Sequence, residues 1–121
     1  MRVRDMASSG LVWALREESL RGAALRLVDE EIGALAVADG GRLVGIFSER
    51  DLVQAVADHV NLDETVVGDY MTSTAIEVEQ DAPAAYAAWQ MKSNGVRHVV
   101  VTSDGEPSGM ISARDLLRNF D

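Results

Sequence analysis

Two four-residue segments of the chain combine a hydroxyl, a guanidinium and a carboxylate at the same spacing. Ser48-Glu49-Arg50-Asp51 and Ser112-Ala113-Arg114-Asp115 each follow a short apolar run. An aspartate placed this way can accept two hydrogen bonds from a vicinal diol, which is the chemistry of ribose recognition. The alternative is structural, with the serine as the N-cap of a helix and the aspartate complementing the helix dipole. The residues alone leave both interpretations open.

These two segments are the best-matched part of an internal repeat. Sliding the chain along itself by 64 residues gives 12 identities in 57 pairs, and five of them fall where residues 45–52 lie over 109–116. Self-similarity at a fixed period indicates repeated units of supersecondary structure. One copy of roughly 55–60 residues buries too little surface to be comfortably stable alone, which favours two packed copies.

The apolar periodicity and turn signals of the first copy predict the order strand, helix, strand, strand, helix. The predicted elements are a strand over 11–15, a helix capped by Ser19 with Leu20, Ala23, Ala24, Leu27 and Val28 on one face, strands over 34–38 and 43–47 joined by Asp39-Gly40-Gly41, and a helix over about 49–59, capped by Ser48, with Leu52, Val53 and Val56 inward.

The second copy predicts the same order. Its elements are a strand over 76–78, a helix capped by Asp81 with Pro83 in its first turn and Ala84, Ala87, Ala88 and Met91 buried, strands over 97–102 and 108–111 joined by Ser103-Asp104-Gly105, and a helix opened by Ser112 that buries Leu116, Leu117 and Phe120. We therefore expect an α/β (α+β) fold of two β-α-β-β-α repeats, residues 1–59 and 67–121, joined by a linker over 60–66. The repeats are expected to pack sheet to sheet with pseudo-twofold symmetry around a cleft.

Composition narrows the classes of function. The chain has 11 basic and 20 acidic residues, a net charge of −9, which argues against nucleic-acid binding and against an anionic membrane surface. It has no cysteine, which excludes disulfides, thiolate zinc sites and cysteine nucleophiles. No apolar run approaches the ~20 residues of a membrane span and no signal peptide opens the chain, so we expect a cytoplasmic protein.

Catalytic and metal-binding motifs are missing from the sequence. His59 and His98 are the two histidines, Lys92 is the one lysine, and no zincin, Walker or EF-hand pattern occurs. We expect neither an enzyme nor a metal site.

The doubled unit resembles a tandem pair of CBS domains, the regulatory module named after cystathionine β-synthase. The resemblance spans residues 3–118 and depends on short motifs in a fixed order. These are Val67-Gly68-Asp69-Tyr70-Met71-Thr72, Asn94-Gly95-Val96-Arg97-His98-Val99-Val100-Val101, Glu31-Ile32-Gly33-Ala34-Leu35-Ala36-Val37 and the two segments at 45–52 and 109–116.

The resemblance implies a ligand-sensing module that binds an adenine-containing nucleotide (AMP, ADP, ATP, NAD or S-adenosylmethionine) in the cleft, with no required cofactor. The ribose ligands carried over are Asp51 and Asp115, with Ser48 and Ser112 beside them. The phosphate candidates are Arg97, His98, Arg50 and Arg114. The apolar candidates for the adenine slot are Val12, Ile46, Ile76, Val96 and Met110. The first copy has Gly33 and Ala34 where the second has Arg97 and His98, so the two sites are expected to differ in phosphate affinity.

Each assignment has a structural alternative. Arg97 can be a surface residue and His98 a satisfied strand residue, Arg50 and Arg114 can pair with acids across a dimer face, and the apolar candidates can be core. The functional alternative is a non-catalytic dimerisation or protein-interaction module with vestigial pockets. The family commonly forms discs of two tandem pairs, so the resemblance also implies a homodimer. A separate effector protein is a further candidate partner, which would carry the output of the module.

Overall fold

The computed structural model describes residues 1–7 and 10–119. Within these residues, the elements in chain order are α1 (Val3–Met6), β1 (Trp13–Leu15), α2 (Leu20–Glu30), β2 (Ala34–Asp39), β3 (Arg42–Ser48), α3 (Glu49–Ala57), α4 (Val67–Tyr70), β4 (Glu77–Glu79), α5 (Ala84–Asn94), β5 (His98–Ser103), β6 (Glu106–Ser112) and α6 (Ala113–Arg118). The order predicted for each copy is confirmed, with a short helix preceding each repeat.

Two three-stranded sheets have the same topology. In the first sheet β1 runs parallel to β2, and β2 runs antiparallel to β3. In the second sheet β4, β5 and β6 repeat this pattern. The β2–β3 hairpin turns through Gly40 and Gly41, both at positive φ, and the β5–β6 hairpin turns through Asp104 and Gly105 in the same way. Two successive residues at positive φ are the requirement of the tight hairpin turn that the sequence predicts.

The chain folds as two compact units that do not follow the sequence repeats. The central unit comprises Val12–Ala75, and the terminal unit combines Met1–Leu11 with Ile76–Asp121. The central unit therefore contains α4, which begins the second repeat, and the terminal unit contains α1, which begins the first.

Backbone hydrogen bonds hold each leading helix in its unit. In the terminal unit, Val3 N–H donates to the Ala82 carbonyl at 2.9 Å and Ala84 N–H donates to the Met1 carbonyl at 2.8 Å. In the central unit, Val67 N–H donates to the Glu18 carbonyl at 2.8 Å. Each leading segment thus satisfies backbone groups at the start of the helix that follows the first strand of its unit.

Each unit has its own hydrophobic core between its sheet and its helices. In the central unit the core is formed by Ala14, Leu20, Ala23, Leu27, Leu35, Val37, Phe47, Ala55 and Val67. In the terminal unit it is formed by Val3, Met6, Val78, Ala84, Ala87, Met91, Val99, Val101, Ile111 and Leu116. Val3 and Val67, one from each leading helix, are both fully buried.

The prediction that Asp81 caps α5 is wrong. The helix begins at Ala84 with Pro83 in the N-cap position and without a side-chain cap. Asp81 instead forms ion pairs with Arg2 and Arg4 of the leading segment. Because Met1 already accepts the bond from Ala84, the helix start is satisfied by backbone and the aspartate is free to pair with the two guanidinium groups.

Several apolar residues predicted to be inward are exposed. Val53 and Val56 of α3, Val28 of α2, Ala88 of α5 and Leu117 of α6 lie on outward faces. On α3 the buried side is formed by Ala55 and the partly buried Leu52, three residues apart. Position 53 is about 100° away from position 52 around the helix axis, so these side chains cannot share one face. Phe120, predicted to be buried, lies outside the described residues.

Among the described residues, no helix is both long and apolar enough to cross a membrane.

Gly45 of β3 packs closely against the backbone of Thr72 in the central unit, with no room for a side chain. A Cβ at this position would lie 2.5 Å from the Thr72 carbonyl oxygen and 3.0 Å from the Met71 sulfur. Thr72 cannot move freely, because its amide donates to the Ile46 carbonyl at 2.8 Å and its carbonyl accepts from the Ile46 amide at 3.0 Å.

Gly45→Ala is therefore expected to lower the free energy of unfolding by about 1–3 kcal/mol, measured by urea titration. Gly10→Ala is the matched control, since a Cβ there would lie 4.0 Å from the Ser108 carbonyl oxygen, an ordinary van der Waals distance. An equal loss in both variants would contradict the steric explanation.

Candidate functional site

The turn from β3 into α3 places the first predicted site. Ser48 ends the strand and caps the helix, so strand and helix join without a loop. Ser48 N–H donates to Asp51 Oδ2 at 2.8 Å, the Ser48 hydroxyl donates to the same oxygen at 3.1 Å, and Asp51 N–H donates back to Ser48 Oγ at 3.4 Å. This is a reciprocal capping box, so the structural alternative for this serine and aspartate is realised.

The turn from β6 into α6 repeats the geometry in the terminal unit. Ser112 N–H donates to Asp115 Oδ2 at 2.9 Å, and Asp115 N–H donates to Ser112 Oγ at 3.0 Å. Arg118, one turn further along, places a guanidinium nitrogen 3.8 Å from Asp115 Oδ1. The two predicted ribose sites thus have one backbone design.

The capping role does not use the whole carboxylate. In the described part of the chain, the side-chain hydrogen bonds of Asp51 all fall on Oδ2. A carboxylate has about four lone-pair sites on two oxygens, so Oδ1 remains available as an acceptor. One aspartate can therefore cap its helix and accept a hydroxyl of a ligand.

The two aspartates differ in exposure. Asp51 is half-buried, whereas only 3% of the surface of Asp115 is exposed. Burial raises the pKa of the Asp51 carboxyl, and the hydrogen bonds from Ser48 and the charge of Arg50 oppose this rise. Asp51 is consequently the more accessible of the two acceptors.

The predicted phosphate residues gather around these turns, although they belong to different elements. The Arg97 carbonyl accepts the Ala113 N–H at 2.9 Å, which holds residue 97 against the first turn of α6. His98 opens β5 and pairs in register with Ser112. Arg114 is exposed in the first turn of α6, as Arg50 is in the first turn of α3. In the terminal unit the backbone therefore places residues 97, 98 and 114 next to the turn that carries Asp115.

The apolar candidates divide between the units. In the central unit, Ala36 N–H donates to the Val12 carbonyl at 2.9 Å and Ala36 pairs in register with Ile46. In the terminal unit, Val100 N–H donates to the Ile76 carbonyl at 2.9 Å, and Val100 pairs in register with Met110. Val12, Ile76 and Val96 are partly buried against the core of their own unit, so for these three the core interpretation also holds.

Two charged residues beside the turns were missed by sequence reasoning. Glu49, the first residue of α3, is exposed next to Ser48, where α6 has Ala113. Arg118 pairs with Asp115, whereas its counterpart Gln54 donates to Asp58 at 2.9 Å. The 64-residue alignment contains both differences, so a comparison of charge at matched positions would have found them.

In the part of the chain that the structure describes, no three histidine, aspartate or glutamate side chains gather as a metal site would require.

Known proteins share both the sequence pattern and the fold. The model of the CBS domain family matches residues 3–58 and 67–121. An uncharacterized 17.7 kDa protein of Acidianus ambivalens is 32% identical over 119 residues, which is 97% of this chain and 71% of that protein.

Two similar solved structures contain adenine compounds. A CBS domain protein from Pyrobaculum aerophilum complexed with AMP is 31% identical, with a TM-score of 0.86, and the match covers 100% of this chain and 92% of that one. The CBS domain pair of protein MJ0100, in complex with 5′-methylthioadenosine and S-adenosyl-L-methionine, is 27% identical, with a TM-score of 0.89 and 100% coverage of both chains. The resemblance drawn from the sequence is confirmed, and the chain belongs to the CBS domain family as a tandem pair of CBS domains.

Proposed function

We propose that this CBS pair is a non-catalytic regulatory module that senses an adenine-containing small molecule. The proposal is carried by one observation, the duplicated turn in which a capped aspartate keeps an acceptor oxygen beside a serine hydroxyl and an arginine. The similar structures that contain AMP, 5′-methylthioadenosine and S-adenosyl-L-methionine support this class of ligand. The ligand is an exchangeable signal rather than a resident cofactor.

In this proposal, Asp51 and Asp115 accept the ribose hydroxyls and Ser48 and Ser112 lie beside them. Arg97, His98, Arg50 and Arg114 are the groups that would meet phosphate. The apolar candidates, Val12 and Ile46 in the central unit and Ile76, Val96 and Met110 in the terminal unit, would contact the adenine ring. That both positions line one shared cleft, and that the signal passes to a separate effector protein, stay predictions.

A thermal-shift panel of AMP, ATP, NAD, 5′-methylthioadenosine and S-adenosylmethionine tests the proposal. A ligand present at 100 times its Kd is expected to stabilise the chain by about 2.7 kcal/mol. Asp51→Asn and Asp115→Asn should each reduce the response, since the amide nitrogen cannot accept a ribose hydroxyl while the amide oxygen can still accept the serine N–H. The double variant should show no shift.

Asp29→Asn is the matched control, because Asp29 is an exposed aspartate of α2 and the change in charge is the same. It should respond to ligand as the unmodified chain does. The proposal fails if no compound moves the melting temperature at millimolar concentration, and the site assignment fails if the double variant still responds.

Self-association is a second candidate function, because large apolar side chains cover the outer faces of four helices. They are Leu25, Val28, Val53 and Val56 on α2 and α3, and Tyr86, Trp89 and Leu117 on α5 and α6. Tyr86 and Trp89 stack with their ring centroids 6.1 Å apart. Exposed aromatic and aliphatic clusters of this kind are typical of protein interfaces.

The charge of the helices supports a second copy of the chain as the partner. Helices α5 and α6 carry Lys92, Arg114 and Arg118 against a single acid, the buried Asp115. Helices α2 and α3 carry four acidic and three basic residues. The α5–α6 face of one copy is therefore complementary in charge to the α2–α3 face of another. We propose that the chain forms a homodimer through this pairing.

Light scattering tests the dimer. The chain is expected to have twice its 13.1 kDa monomer mass, and Trp89→Ala should weaken association by about 2 kcal/mol, roughly thirtyfold. Leu15→Ala is the control, since this side chain is 59% exposed on β1 and lies outside the helical faces. A monomeric parent chain, or an equal effect of both variants, would contradict the pairing.

A further inference from the structure

The two equivalent turns carry opposite charge. In the central unit, the charged groups of the first helical turn are Glu49, Arg50 and Asp51, a net charge of −1. At the matched positions of the terminal unit, the exposed Arg97 directly precedes β5, the exposed Arg114 lies beside Asp115 in the first turn of α6, and Arg118 adds a third guanidinium one turn on. The net charge there is +2 with histidine neutral, so the two positions differ by three charges on one backbone design.

The backbone does not require this difference. The Gly33 carbonyl accepts the Glu49 N–H at 3.0 Å, and the Arg97 carbonyl accepts the Ala113 N–H at 2.9 Å. Residues 33 and 97 thus hold the following helix in the same way, through main-chain atoms alone. What differs is that residue 97 adds a guanidinium where residue 33 adds nothing.

The acidic residue of the central unit also has no structural partner within the described residues that would explain its charge. Glu49 is exposed, and it is held in the turn by the backbone bond from its N–H to the Gly33 carbonyl. Glu49 and Asp51 lie on either side of Arg50 in the sequence, so the guanidinium of Arg50, the phosphate candidate of this unit, is outweighed by two carboxylates. A ligand carrying phosphate, with a charge of about −1.5 to −2, is repelled there and attracted in the terminal unit.

We infer that the two positions sort adenine ligands by the charge of the group on the ribose 5′ carbon. The terminal unit takes ligands with a 5′-phosphate, and the central unit takes ligands whose 5′ group is uncharged or cationic, such as a thioether or a sulfonium. This rests on the proposed function, because it assumes that both aspartates bind ribose. The module is then a sensor of two chemically distinct adenosyl compounds.

Titration calorimetry of the full chain with two matched probes tests the inference. AMP and 5′-methylthioadenosine share adenine and the ribose diol and differ at the 5′ group, phosphate against an uncharged methylthio group. The Asp51→Asn variant keeps an intact aspartate only in the terminal unit, and the Asp115→Asn variant keeps one only in the central unit. AMP affinity should be retained in Asp51→Asn and fall at least tenfold in Asp115→Asn, and 5′-methylthioadenosine should show the reverse pattern.

Two further substitutions, at Arg97 and Glu49, change the charge beside the turns. Arg97→Ala removes an exposed guanidinium, and AMP binding should weaken about tenfold while 5′-methylthioadenosine binding stays within about twofold. Arg42→Ala is the matched control, since Arg42 is exposed at the opposite end of β3 from Ser48. Glu49→Ala, combined with Asp115→Asn, should raise AMP affinity at the central position several-fold.

The outcomes separate this inference from the proposed function. If neither probe binds the unmodified chain, sorting by charge is wrong, and the proposed function fails as well when no compound of the thermal-shift panel stabilises the chain. If both probes bind but each aspartate variant loses AMP and 5′-methylthioadenosine equally, or Arg97→Ala weakens both probes alike, adenine sensing stands and sorting by charge is wrong.

Discussion

The reciprocal hydrogen bonds between a serine and the aspartate three residues later hold each unit together where strand meets helix. Because β3 runs into α3 and β6 into α6 without a loop, the first amide groups of each helix need partners at once. The hydroxyl oxygens of Ser48 and Ser112 each accept one of these amides, that of the aspartate three residues later. The aspartate carboxylates in turn accept a bond from the serine amides. The fold therefore fixes a carboxylate at the start of each helix before any ligand is considered.

The leading helices add a constraint that the repeat alone does not reveal. Each compact unit is completed by the segment that begins the other repeat, so neither repeat encloses its own core. Thr72, which follows the leading helix of the second repeat, pairs through two backbone bonds with Ile46 of the first. The edge of β3 at Ile46 is consequently covered by a residue of the other repeat, Thr72.

Local patterns explain what the sequence could predict. The Ser-x-Arg-Asp segments, the hairpin turns and the helical spacing in α2 involve residues within one or two turns of each other, and the predicted element order and the capping alternative follow from them. Asp81 was misassigned because its partners, Arg2 and Arg4, are distant in the sequence, Arg2 by 79 residues. Val53 and Leu117 were misassigned because apolar character alone does not distinguish a core face from an exposed outer face.

At these turns, the residues that the fold requires differ from the residues that set the local charge. The positions that the turn requires, such as Ser48 with Asp51, are the same in both copies because their side chains make the capping bonds. Residues 33 and 97 serve the turn through a carbonyl oxygen, which every amino acid has. Their side chains are therefore not constrained by the turn, and neither is the side chain at 49 or 113. A duplicated unit can keep its capped helix start in both copies while the free positions beside it acquire different charges.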